Sequence, residues 1–234
     1  MTTTSDLRFD APLYSVTEAA RFLGVPATTF TSWARGYVRR SAERRPVTGA
    51  PVLSTVSAPG GVSVPFIGLA EGMVLAAIRQ TGVPMQRIRP ALLALQEEIG
   101  LAHALASRRL FSDGAEVLYD LAGPTATDRG HELVVIRSGQ RVFSDVVADY
   151  LQRIEYGPDG YARRLHLPGY ALRQVVVDPE RSFGQPVFVH GAARVDDVLD
   201  RFQAGESLPD LAADFGLPIA DLEDAVRVAS RRAA

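Results

Sequence analysis

Cysteine is absent from the 234 residues, which rules out disulfide frameworks, thiolate zinc sites, iron–sulfur clusters and thiol nucleophiles together. Lysine is absent too, so a G-x-x-x-x-G-K-[ST] phosphate loop cannot be completed, and neither G-x-S-x-G nor G-x-G-x-x-G occurs. No stretch approaches the roughly 20 apolar residues that span a bilayer, and Met1 to Asp10 lack the basic-then-apolar layout of a signal peptide. A cytoplasmic chain with no membrane partner is expected. His103, His131, His166 and His190 are scattered, with no pair at metal-ligand spacing. Asp196, Asp197 and Asp200 read as the solvated face of an amphipathic helix. No catalytic residue, metal site or cofactor is therefore expected, and the chain reads as a non-enzyme.

What is present is the composition of a folded protein, with 47% apolar and 22% charged residues. Net charge is only -2, but it is unevenly spread. Arg21, Arg35, Arg39, Arg40, Arg44 and Arg45 crowd one early segment against the single acid Glu43, whereas nine acids face five arginines from His190 onward. Such asymmetry separates a nucleic-acid surface from a protein-facing one.

Ser15 and Glu18 form a capping-box pattern ahead of Val16, Ala19, Ala20 and Leu23 at helical spacing. Gly24-Val25-Pro26 then turns the chain into a second helix, Ala27 to Ala34, with Phe30 and Trp33 inward. Two helices joined so tightly are a helix-turn-helix. Thr28, Thr29, Thr31, Ser32 and Arg35 fall on the opposite side, as side chains able to read a groove, and Arg39, Arg40, Arg44 and Arg45 follow as phosphate or minor-groove contacts. Val52–Val56 and Val62–Phe66 read as the hairpin, or wing, and Leu69–Gln80, Pro84–Ile99 and Leu101–Leu110 as helices. Short strands are expected at 116–119, 133–137 and 140–142, a mobile loop at 123–130, a short helix at 146–154, and strands again at 162–167 and 174–177.

The last segment repeats the opening device. Val195–Ala204 is amphipathic, Ser207 caps Leu208–Phe215, and Gly216-Leu217-Pro218 leads into Ile219–Arg231. Its acids Asp210, Asp214, Asp221, Glu223 and Asp224 read as solvent-facing, and would repel a phosphate backbone. The expected fold is mainly α with small β elements: residues 1–112 a winged helix-turn-helix with following helices, 113–172 an α+β connector, and 173–234 a three-helix, helix-turn-helix-like domain.

The run from Tyr14 through Pro26, followed by Trp33, resembles the MerR-like winged helix-turn-helix. The segments Val177-Asp178-Pro179-Glu180, Phe183-Gly184-Gln185-Pro186-Val187-Phe188, Arg194-Val195-Asp196-Asp197-Val198-Leu199 and Ala204-Gly205-Glu206-Ser207 resemble the small helical domain carried by many bacterial antitoxins. His190-Gly191-Ala192-Ala193-Arg194 departs from the Gly-Thr-Arg of its smaller members. Together they resemble a long actinobacterial antitoxin of the VapB type. That resemblance implies an N-terminal domain that binds its own operator DNA and a C-terminal region that grips a PIN-domain ribonuclease toxin, and sequence-specific DNA recognition through two half-sites calls for a homodimer with recognition helices about 34 Å apart. Phe202, Leu222, Arg227, Arg231 and Arg232 are the candidate partner contacts. The competing reading is a free-standing MerR-like regulator whose C-terminal domain dimerises or senses a ligand.

Overall fold

The computed structural model describes residues 6–41, 44–99, 102–110, 147–191 and 193–233. The strands expected at 116–119, 133–137 and 140–142, the loop at 123–130 and His131 lie outside the described residues.

A single turn, α1 (Leu7–Asp10), precedes a short strand, β1 (Tyr14–Ser15), and the first full helix, α2 (Val16–Leu23). Both halves of the capping box form: Ser15 Oγ accepts the Glu18 N–H at 3.1 Å, and the Glu18 carboxylate accepts the Ser15 N–H at 2.8 Å. Two first-turn donors are thereby satisfied. Gly24 ends the helix in the left-handed region, φ 66°, a conformation that costs glycine nothing. The next helix, α3 (Ala27–Arg35), turns Phe30 and Trp33 into the core, their ring centroids 5.9 Å apart.

Two hairpins follow. β2 (Tyr37–Ser41) pairs antiparallel with β3 (Arg44–Gly49), and β4 (Val56–Ala58) pairs with β5 (Gly61–Val64). Since β5 also pairs with β1, the second hairpin is built into a three-stranded sheet under the helix-turn-helix. The expected wing strands at 52–56 and 62–66 are corrected accordingly: the first begins only at Val56, and Phe66 already opens a helix. The projecting basic hairpin is Tyr37–Gly49. Its base is tight, because a Cβ on Gly36 would lie 2.4 Å from the Gly49 carbonyl oxygen and one on Gly49 would lie 2.5 Å from the Tyr37 ring.

Helix α4 (Phe66–Gln80) is the axle of the molecule, buried continuously from Phe66 to Ile78. An all-round apolar helix belongs inside, and two glycines let its neighbours close in: a Cβ on Gly72 would meet Phe30 at 2.7 Å, and one on Gly68 would meet the Ser54 carbonyl at 2.2 Å. Helix α5 (Met85–Ile99) follows. The helix expected at 101–110 is interrupted: Ala104–Ala106 form one 3-10 turn and residues 108–110 are again helical, but His103 takes φ 58° and Ser107 is extended and bridged to Tyr161, conformations incompatible with a continuous helix.

The described residues 147–151 are helical and lead into a four-stranded antiparallel sheet, β6 (Ile154–Tyr156), β7 (Ala162–His166), β8 (Val175–Val177) and β9 (Val187–Phe188). This sheet runs across the expected boundary at residue 172, since β7 pairs with β8. Three helices close the chain, α6 (Val195–Gln203), α7 (Leu208–Phe215) and α8 (Ile219–Ala233). The two ends are stitched together: the Tyr14 hydroxyl donates to the Gly184 carbonyl at 2.9 Å, and Arg8 pairs with Asp159. Burial pushes the Tyr14 phenol well above its usual pKa, so it stays a donor. Hydrogen bonding from Arg8 holds Asp159 below the usual carboxylate range.

Candidate nucleic-acid interface and partner face

The recognition-type helix α3 owes its orientation to its apolar stripe. With Phe30, Trp33 and Ala34 buried, the 3.6-residue period rotates Thr28 and Arg35 fully outward and leaves Thr29, Thr31 and Ser32 half-exposed. Thr31 Oγ1 donates to the Ala27 carbonyl and Ser32 Oγ to the Thr29 carbonyl, both at 2.7 Å. Each hydroxyl's hydrogen is thus committed to its own helix while its lone pairs remain able to accept from a base amino group. At the other end, N-cap Pro26 provides no side-chain cap, so first-turn N–H groups have no intrahelical partner and point toward whatever anion approaches.

Arg39, Arg40, Arg44 and Arg45 lie on β2 and β3, immediately after α3. Register places Arg39 opposite Val47, and Ser41 opposite Arg44, with a bulge between Arg39 and Ser41. The structure therefore gathers the expected basic residues onto one hairpin beside the outward face of α3, although the four arginine side chains lie outside the described residues. The hairpin was not foreseen. Its two valines, Val38 and Val47, are both exposed, so the sequence carries no alternating apolar pattern to detect.

Arg89 of α5 was also missed. Its guanidinium donates to the Ser32 carbonyl of α3 at 3.0 Å and to the Ala50 carbonyl at the root of the hairpin, and it lies 5.2 Å from the centroid of the Tyr37 ring. One side chain thus fastens α3 to the root of the hairpin. Nothing in the spacing of α5 singles it out.

At the C-terminal end the expected surface needs two corrections. Leu222 is fully buried, 0% exposed, and belongs to the core between α6, α7 and α8, so no partner can touch it. Phe202 is half-buried and packs against the same core. Asp221 and Asp224 are buried as well. Asp224 accepts hydrogen bonds from the Ala171 N–H at 2.8 Å, from Gln174 Nε2 at 3.0 Å and from Arg227 Nη1 at 3.1 Å. It clamps α8 to the segment before β8, while Asp210, Asp214 and Glu223 do face solvent. Arg227 is bound to Asp224 yet mostly exposed, and Arg231 is exposed. The side chain of Arg232 lies outside the described residues.

Arg201 of α6 joins Glu206 and Asp214 and stands over the Phe215 ring, 5.1 Å from its centroid. Hydrogen bonding to Arg201 lowers the Glu206 pKa. Among the described residues no group of three or more histidine, aspartate or glutamate side chains is placed to hold a metal ion, and no helix is long and apolar enough to cross a membrane.

Residues 12–92 match a family described as "Putative DNA-binding HTH domain", and residues 175–229 match one described as "Protein of unknown function (DUF433)". "Putative antitoxin VapB45" of Mycobacterium tuberculosis is 45% identical over 228 residues, covering 94% of this chain and 95% of that protein. "Uncharacterized protein Rv2308" of the same organism is 31% identical over 222 residues, covering 93% and 90%. The crystal structure of Rv2018 from Mycobacterium tuberculosis superposes with a TM-score of 0.74 at 37% identity, covering 94% of this chain and all of that one. With an N-terminal DNA-binding helix-turn-helix domain and near-complete coverage at 45% identity, the chain belongs to the family of antitoxin VapB45.

Proposed function

We propose that the protein is a type II antitoxin that binds its own operator as a homodimer and neutralises a PIN-domain ribonuclease toxin. The observation that carries the DNA half is the outward polar face of α3 lying next to a hairpin with four arginines. In this reading Thr28, Thr29, Thr31, Ser32 and Arg35 meet base edges in the major groove, and Arg39, Arg40, Arg44 and Arg45 hold phosphates. No catalytic residue is required of such a regulator.

The toxin half rests on the relative's name and on the arginines of the last helix. A PIN-type nuclease gathers carboxylates around a metal ion, and an arginine delivered there competes with the metal or with the substrate phosphate. Arg227, Arg231 and Arg232 are the arginines offered by α8. Co-expression with the product of the neighbouring gene and purification through one tag is the direct test. Recovery of a stoichiometric complex whose ribonuclease activity is suppressed, and regained when all three arginines are alanine, supports the reading. A neighbour that does not co-purify refutes the toxin half while leaving DNA binding to be judged separately, and inhibition unchanged in the triple variant refutes the role of the three arginines.

A further inference from the structure

A cavity of about 520 Å³ lies between the root of the basic hairpin, the 50–54 segment, helix α5 and the 3-10 turn. That volume falls among small-molecule sites, which run from roughly 300 to 1,000 Å³. Its walls are mainly apolar, with Val47, Val52, Leu92, Leu93 and Leu105 around the Tyr37 ring. Two charged residues reach it, Glu71 and Arg89, and their circumstances differ. Glu71 is supplied by its own neighbours: its carboxylate accepts from the Ser54 N–H at 2.6 Å and the Ser54 hydroxyl at 2.9 Å, and meets His103 Nδ1 at 3.1 Å. Arg89 has only the two neutral carbonyls of Ser32 and Ala50. Among the described residues no carboxylate pairs with it, and its Nε is buried without a hydrogen-bond partner. An un-neutralised guanidinium with spare donors, half-buried at an apolar cavity, is a site short of an anion.

We propose that this cavity binds a small organic carboxylate with an apolar or planar body, its carboxylate on Arg89 and its body against Val52, Leu92, Leu105 and the Tyr37 ring. The charge pattern selects this ligand class: a neutral apolar molecule would leave the guanidinium uncompensated, and a multiply charged anion would meet Glu71. Burial already lowers the Arg89 pKa, and a bound carboxylate reverses that pressure. Because Arg89 holds the Ser32 carbonyl of α3 and the Ala50 carbonyl below the hairpin, a ligand that draws on its N–H groups shifts one against the other. That regulatory consequence rests on the DNA-binding reading; occupancy of the cavity does not.

Isothermal titration calorimetry of the full chain without DNA tests occupancy directly, with benzoate and hexanoate as probes and benzamide and hexanamide as their uncharged counterparts. Each carboxylate should bind about tenfold or more tighter than its amide, the margin of a charge-assisted hydrogen bond. Arg89→Gln should erase the difference. Leu93→Trp, at a position 58% exposed on the cavity wall, should block carboxylates and amides alike while thermal unfolding stays as in the parent. The proposal is overturned if carboxylates fail to bind at millimolar concentration, if amides bind equally well, or if the preference survives Arg89→Gln. It is also overturned if Leu93→Trp splits a dimer in sedimentation, because a second copy would then be what covers the cavity. Should Arg89→Gln fail to fold, loss of carboxylate binding in folded Leu93→Trp still decides for the cavity, and its retention decides against.

Discussion

The chain contains two helix-turn-helix units with the same hinge and opposite surfaces. Gly24-Val25-Pro26 and Gly216-Leu217-Pro218 both place glycine in the left-handed region, at φ 66° and 63°. Each then uses proline to start the next helix. Around the first hinge the outward residues are threonines, serine and arginine, and a basic hairpin follows; around the second they are Asp210, Asp214 and Glu223. The local motif fixes how two helices pack, and the charge borne on the free face decides what may approach. An acidic surface repels a phosphate backbone, so only the first unit is suited to nucleic acid.

The sharpest way to break the comparison is to unmake one unit and leave the other. Trp33→Ala removes a 2%-exposed ring from beneath α3 and should cost about 3–5 kcal/mol. Operator binding should be lost in a mobility shift, while a toxin partner should still be retained on a column. Next in size is Asp224→Ala, which strips acceptors from the Ala171 N–H and the Gln174 amide. At about 0.5–1.5 kcal/mol net for each hydrogen bond lost, it should lower the thermal midpoint clearly, whereas Glu223→Ala, one residue away and exposed, should stay within about 0.5 kcal/mol.

Smaller still, Arg35→Ala or Thr29→Ala should relax base preference at one operator position by about 1–3 kcal/mol of discrimination, measured by competition between single-base operator variants. The smallest effect concerns His103. Its hydrogen bond to Glu71 raises its pKa above 6.5, so the stabilisation is complete at pH below 6.5 and is lost as pH climbs through the raised folded value. Denaturant midpoints should fall over that interval in the parent, and the fall should disappear in His103→Ala.

Both helix-turn-helix units are legible in the sequence because their signals are local: a capping box at Ser15 and Glu18, a serine cap at Ser207, and a glycine followed two residues later by proline at each hinge. The inward pair Phe30 and Trp33 is legible from helical spacing alone. The basic hairpin is not, since its two valines, Val38 and Val47, are exposed and leave no period-two apolar trace. The helix expected at 101–110 fails at His103, whose left-handed backbone is set by its long-range contacts with Ser54 and Glu71. Asp221 and Asp224 mislead for a related reason: aspartate on an amphipathic helix ordinarily faces water, but here the Ala171 N–H and the Gln174 amide draw the Asp224 carboxylate inward, and the Asp221 carboxylate lies 3.4 Å from His190 Nδ1. Leu222 lies on the same buried face, which is why it serves the core and no partner.

The central claim, that the outward face of α3 and its neighbouring hairpin engage a phosphate backbone, is tested most directly by titrating operator binding against salt for the full chain and for an Arg39→Ala, Arg40→Ala variant. With about 0.9 counterions released per phosphate contact, the account predicts a logarithmic salt slope for the variant shallower by about 2, with affinity reduced for all sequences alike. Identical slopes, or no operator binding by the parent at low salt, would contradict it.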